Sequence, residues 1–200
     1  MAIPTLEQEP HEVVGAEALF RAHAGFVASF LRRLSVPEAD VDDLVQEVFV
    51  IAHRKGGYVT GPAQPRTWLG AIALRVAQSG RRSRQRHPSA LSDGAAPADT
   101  ASERLDPAEQ LETQRALQRV QRALDQLSLE HRATFVLFEI EGESCDNIAA
   151  ALQVPLGTVY SRLHAARRRF LSAYETAEVA DTAQLTPVPP LPHPRSELCK

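Results

Sequence analysis

Two short helical patterns meet at Gln153-Val154-Pro155 within NIAAALQVPLGTVYSRLHAARRRF, Asn147 to Phe170, and this spacing restricts the local fold more than any other feature of the chain. Ile148, Ala151 and Leu152 recur three and four apart before the break, and Val159, Leu163, Ala166 and Phe170 do so after it. Each helix therefore has one buried side. With a turn of so few residues the two helices must cross steeply, the helix-turn-helix arrangement whose second helix can enter a major groove. The other side of that helix carries Thr158, Tyr160, Ser161, Arg162, His164, Arg167 and Arg168. Such side chains hydrogen-bond phosphates and base edges, and no carboxylate stands among them to repel the backbone.

The net charge of −3 hides opposed blocks. Residues 1–47 sum to −6, 48–92 to +8, 93–146 to −7, 147–174 to +4 and 175–200 to −2. Val48 to Ser92 holds eight Arg or Lys and no Asp or Glu, as expected of a face turned to a polyanion. Two basic zones separated by an acidic one imply two contacts on one nucleic acid.

Elsewhere apolar residues recur three and four apart with little strand-like alternation, so the fold is expected to be all-α. The aperiodic stretch ALSDGAAPADTASERLDP, Ala90 to Pro107, reads as a flexible linker between two small helical domains. The expected boundaries are 1–89, a linker 90–106, 107–174 with the helix-turn-helix, and a Pro-rich tail 175–200. That tail contains LTPVPPLPHPRSELCK, whose five prolines exclude a continuing helix, and it is expected to be disordered. The first domain should hold helices near Ala16–Leu34, Pro37–Arg54 and Trp68–Arg84, the last capped by Thr67 after a break at Gly56, Gly57, Gly61, Pro62 and Pro65. The second should open with Asp106 as cap and Glu109 closing a capping box, and bury Leu117, Val120, Leu124 and Leu127. Ser128 should cap a short apolar helix around Ala133–Ile140, Gly142 should end it, and Ser144 should start the next.

Within DVDDLVQEVFVIAHR, Val41, Leu44, Val45, Val48 and Ala52 make a core stripe, while Asp43, Gln46, Glu47 and Val50 make a second, acidic and partly apolar. The second face suits a basic protein partner better than DNA. In PRTWLGAIALRVAQSGRRSR, Leu69, Ile72, Ala73 and Val76 face inward, and Arg75, Ser79, Arg82 and Arg86 line another side able to follow a strand backbone.

Enzyme chemistry finds no footing in the sequence. HEVVG at His11 begins like HExxH but places Gly15 where a second zinc ligand is needed, and there is no Walker-type loop. Cys145 and Cys199 form no CxxC pair, so neither a metal site nor a disulfide framework is indicated, and no cofactor is expected. No apolar run approaches the roughly 20 residues that span a bilayer, and the N-terminus lacks a signal-peptide pattern, so a cytoplasmic protein without membrane insertion is expected.

Taken together, these motifs resemble bacterial RNA polymerase sigma factors of the extracytoplasmic-function group in the sigma-70 family. The family pattern P-x-G-T-V-x-S-R-L-x-x-A-R is matched by Pro155, Gly157, Thr158, Val159, Ser161, Arg162, Leu163, Ala166 and Arg167. DVDDLVQEVFVIAHR resembles the helix that binds the polymerase clamp, and PRTWLGAIALRVAQSGRRSR the helix beside the melted promoter strand. The resemblance implies an alternative sigma factor. Its partners would be core RNA polymerase, held through the largest-subunit clamp by Asp43, Gln46, Glu47 and Val50, double-stranded promoter DNA and the melted non-template strand; an anti-sigma protein is a further partner of the family. The −10 element would lie on Tyr58, Arg75, Ser79, Arg82 and Arg86, with an unstacked base held within Gly57–Arg66, where Tyr58 is the only aromatic. The −35 element would lie on the recognition helix. The chain departs from the family where Asn and Asp are usual, at Arg75 and Ser79, and also at Gly80, Ser128, Asn147 and Tyr160. The competing function is a conventional helix-turn-helix transcriptional regulator, which leaves the clamp-like helix unexplained.

Overall fold

The computed structural model describes residues 13–86 and 106–184. The first lobe contains α1 (Ala16–Arg33), α2 (Glu38–Arg54) and α3 (Pro65–Arg86); the second contains α4 (Pro107–Asp125), α5 (Leu129–Phe135), a π-helical segment (Val136–Ile140), α6 (Cys145–Leu152) and α7 (Leu156–Gln184). The all-α expectation holds. A two-residue antiparallel ribbon is the one addition among the described residues: β1 (Val13–Val14) pairs with β2 (Tyr58–Val59) in the register Val13 to Val59 and Val14 to Tyr58. Gly57 permits it, since its φ is +92° and a Cβ there would stand 2.5 Å from the Val14 carbonyl oxygen.

Local chemistry explains several helix ends. Ser144 Oγ accepts from Asn147 N at 3.2 Å and Ser128 Oγ from His131 N at 3.5 Å, satisfying otherwise orphaned first-turn donors. Gly142, at φ +71°, ends the π segment. Three expectations are corrected. Thr67 is not a cap: α3 starts two residues earlier at Pro65, whose fixed φ suits a first turn, and Thr67 is fully buried inside it. Asp106 occupies the N-cap position of α4 but accepts no capping hydrogen bond, so the capping box with Glu109 does not form. Leu117 is 52% exposed and Val120 only half-buried, because α7 covers only part of the expected stripe and leaves Leu124 and Leu127 as its buried members.

The tail boundary also moves. α7 runs to Gln184, since ETAEVADTAQ holds no helix breaker and Asp181 accepts from Arg122 at 3.0 Å, with Arg119 at 3.6 Å. The proline stretch beyond it and the expected linker from 87 to 105 lie outside the described residues.

Val27, Phe30, Val41, Val48, Leu69 and Ala73 fill the first lobe, and Leu124, Val136, Ile148, Val159 and Ala166 the second. These side chains belong to one continuous apolar cluster. The lobes meet along α3, which touches both α5 and α6, and the Leu137 side chain approaches to 3.2 Å of the space a Cβ would occupy at Gly70.

Candidate nucleic-acid interface

The α6–α7 hairpin has the short turn and the buried sides expected from its sequence. Its three-residue turn carries Gln153 in the left-handed region at φ +58°, and Ile148, Ala151, Val159, Leu163 and Ala166 are buried beneath it. On α7, Tyr160, Ser161, His164, Arg167 and Arg168 are exposed, and Thr158 and Arg162 partly so. Tyr160 is 54% exposed, leaving its ring and hydroxyl accessible to a groove. Ser161 Oγ donates to the Thr158 carbonyl at 3.0 Å, which keeps its acceptor lone pairs outward.

Three arginines of this helix are not simple phosphate contacts. Arg167 donates to Glu139 at 2.5 Å and lies 5.2 Å over the Phe138 ring, so it joins the recognition helix to the π segment. Arg168 and Arg169 line a groove of about 970 Å³ between α4, the start of α5 and α7, together with Arg122, His131, Ser172 and Thr176.

On the other lobe, Arg75, Ser79, Arg82 and Arg86 are all exposed along α3. Tyr58 is the correction. Its side chain is buried at 6% exposure, its hydroxyl donates to the Ala63 carbonyl, and its ring packs edge-on against Trp68 at 5.8 Å. The β1–β2 ribbon turns Tyr58 inward, so its ring is not free to stack on a base in this state. A cleft of about 380 Å³ opens beside it, lined by Lys55, Tyr58, Trp68 and Arg75 from the first lobe and by Ala150, Ala151 and Gln153 from the second. Lys55 and Trp68 were not among the expected DNA contacts. Lys55 belongs to the acid-free block, so charge alone could have flagged it; Trp68 has no such signal.

Asp43, Gln46, Glu47 and Val50 are exposed together on α2, opposite the buried Val41, Val45, Val48 and Ala52. Among the described residues, no group of three or more His, Cys, Asp or Glu side chains is placed to hold a metal. No described helix is long and apolar enough to cross a membrane. Cys145, in the first turn of α6, has its thiol pushed up first by burial and then by Asp146, which disfavours the nucleophilic thiolate.

Comparison with known proteins matches two families, "Sigma-70 region 2" over residues 19–87 and "Sigma-70, region 4" over residues 117–170. The ECF RNA polymerase sigma factor SigM of Mycobacterium tuberculosis is 33% identical over 153 residues, covering 76% of this chain and 74% of SigM. The ECF RNA polymerase sigma-E factor of Escherichia coli is 33% identical over 147 residues, covering 70% and 76%. Among solved structures, the sigma factor RpoE from Bartonella quintana, in complex with the anti-sigma factor NepR, superposes with a TM-score of 0.62 at 23% identity, over 80% of this chain and 96% of that one. CnrH in complex with the cytosolic domain of CnrY gives 0.54 at 26% identity, over 80% and 88%.

Proposed function

Since this chain belongs to the extracytoplasmic-function group of sigma-70 family sigma factors, we propose a division of labour among its surfaces that accounts for how it works as an alternative sigma factor in transcription initiation. The α2 face of Asp43, Gln46, Glu47 and Val50 docks a basic, partly apolar surface on the clamp of core RNA polymerase. The side chains of α7, with Tyr160, Ser161 and His164 at base edges, read the −35 element in the major groove. Arg75, Ser79, Arg82 and Arg86 track the melted −10 strand, whose unstacked base enters the cleft beside Lys55 and Trp68 once that cleft is open. The protein carries out no covalent chemistry, acts in the cytoplasm with the polymerase, and has an anti-sigma factor as a further partner.

The observation that carries this reading is the presence, on one chain, of an exposed basic and polar side of α7 and a separate exposed acidic face on α2; a regulator that binds DNA alone has no use for the second. The test is run-off transcription with purified core polymerase and genomic promoter fragments. The parent protein is expected to start transcripts at discrete sites without another sigma factor. Changing Asp43, Gln46 and Glu47 together to Ala is expected to abolish core binding in a pull-down while helix content stays constant, because exposed side chains leave no cavity when truncated. Retained binding by that variant would remove α2 from the polymerase interface.

A further inference from the structure

α7 carries a second, mostly polar row beside the one assigned to promoter reading. Thr158, Arg162, Ala165, Arg169, Ser172 and Thr176 recur four and three apart, so they share one side of the helix, turned about 100° from Tyr160, Ser161 and His164. Ser172 and Thr176 lie past residue 170, where the region 4 match ends. The helix persists there because Asp181 accepts from Arg122 of α4, with Arg119 beside it, and Tyr174 stacks on Phe170 with ring centres 6.0 Å apart. Between this half of α7, the end of α4 and the start of α5 runs the groove of about 970 Å³. It follows α7 from Ala165 to Ala177, a distance of about 18 Å at the helical rise.

The groove is cationic. Arg122, Arg168 and Arg169 line it with His131 and Ser172, and among the described residues its lining includes no Asp or Glu. No hydrogen bond or ion pair among the described residues engages the side chains of Arg168, Arg169 or Ser172. Thr176 donates its hydroxyl to the Ser172 carbonyl at 2.8 Å, so the donors left to the groove are mainly guanidinium forks. Like charges gathered on a concave wall repel one another until an anion lies between them. Guanidinium forks match phosphate oxygens bidentately, and the volume falls within the range of small-ligand pockets, about 300–1,000 Å³. A single phosphate would fill little of that length, whereas linked phosphates can reach arginines on two helices.

We propose that this groove binds a small ligand carrying two or more linked phosphate groups, a nucleoside polyphosphate or an inorganic polyphosphate, held between Arg122 of α4 and Arg169 of α7 with Ser172 donating to it. The site goes beyond promoter reading and does not depend on it. Tyr160, Ser161 and His164 stay uncovered, so ligand and duplex bind together. A ligand bridging Arg122 and Arg169 ties the last turns of α7 to α4, and that stabilisation grows with ligand concentration.

The test is isothermal titration of the full chain with sodium tripolyphosphate at physiological ionic strength. One saturable site is expected, with orthophosphate about tenfold weaker because it engages one fork rather than two. Arg169→Gln is expected to weaken tripolyphosphate binding about tenfold for the same reason, whereas Arg54→Gln, which removes another exposed charge from α2, leaves it unchanged. Ser172→Leu keeps every charge but fills the groove with apolar bulk, so it too should lose binding. All three positions are exposed, and circular dichroism checks that helix content holds. ATP in a parallel titration separates the two sources: tighter binding than tripolyphosphate assigns a nucleoside to the ligand, and equal or weaker binding assigns the phosphate chain alone. Absence of saturable tripolyphosphate binding overturns the site. So does equal weakening by Arg169→Gln and Arg54→Gln, which would mean diffuse charge, or undiminished binding by Ser172→Leu. Displacement of tripolyphosphate by a duplex of random sequence overturns it as well, because the groove would then belong to the DNA interface.

Discussion

At the scale of single residues, the positions expected to touch nucleic acid sort by what else they do. Among the described residues no hydrogen bond or ring contact holds Tyr160, and its exposed ring stands near the start of α7. Tyr160→Arg is accordingly expected to change which −35 sequence is preferred, by about 1–3 kcal/mol at one base pair, read by selection from randomised duplexes. Enrichment of the same sequence by both proteins would mean that this side chain does not read bases. Arg167 shows what a helical wheel cannot reveal. Its spacing places it on the outer side of α7, yet its partner Glu139 lies 28 residues earlier. Tyr58 misleads for a related reason: a lone aromatic in a glycine-rich loop looks available, but two ribbon residues from beyond α1 turn it inward. In both cases the deciding neighbour is distant in sequence, where no periodic pattern extends.

At the scale of elements the sequence was far more informative, because helices bury stripes that recur every three or four residues. The ends of α1 and α2, the inward stripe of α3 and both sides of the hairpin follow from that rule. Capping was legible where a hydroxyl sits one residue before the first turn, at Ser128 and Ser144, and misleading where proline sets the start, at Pro65 and Pro107. Ser144→Ala is expected to cost about 1 kcal/mol of stability, because it strips the Asn147 N–H of its partner. Asp106→Ala should cost no more than roughly 0.5 kcal/mol, as only the helix dipole favours its charge there. Thermal unfolding of the two variants side by side checks the difference, and equal losses would show that Asp106 caps α4 in solution. The length of α7 was misjudged for a physical reason. The proline-rich stretch draws attention to where a helix is forbidden, whereas the helix continues as long as formers persist and Asp181 finds Arg119 and Arg122 on α4.

At the scale of the whole molecule, division into two lobes could be read from the aperiodic segment between them, but their union could not. The groups that join them, Glu141 with Arg33 and Arg66, Gln78 with Glu130 at 2.7 Å, and Ser35 with Asp125 and Arg132, are separated by 52 to 108 residues. Arg132 shows how demanding this contact is: burial to 3% exposure lowers its guanidinium from the ordinary arginine range, opposed by Asp125 at 3.0 Å. Limited proteolysis is expected to cut first between residues 87 and 105 and to leave both helical lobes as resistant fragments, identified by mass spectrometry. A single resistant fragment crossing that segment would contradict the separation into lobes. The π segment ahead of Glu141 has a consequence for descent. Its Glu141 N–H reaches back five residues to the Val136 carbonyl at 3.0 Å, one residue more than an α-helical turn requires. Loss of a single codon within Val136–Ile140 would restore the α-helical hydrogen-bond pattern and leave Glu141 on nearly the same face, since five residues at the wider π pitch turn about as far as four at the α pitch. A lineage could therefore carry or lose the extra residue in one genetic event without moving the side chains that follow it.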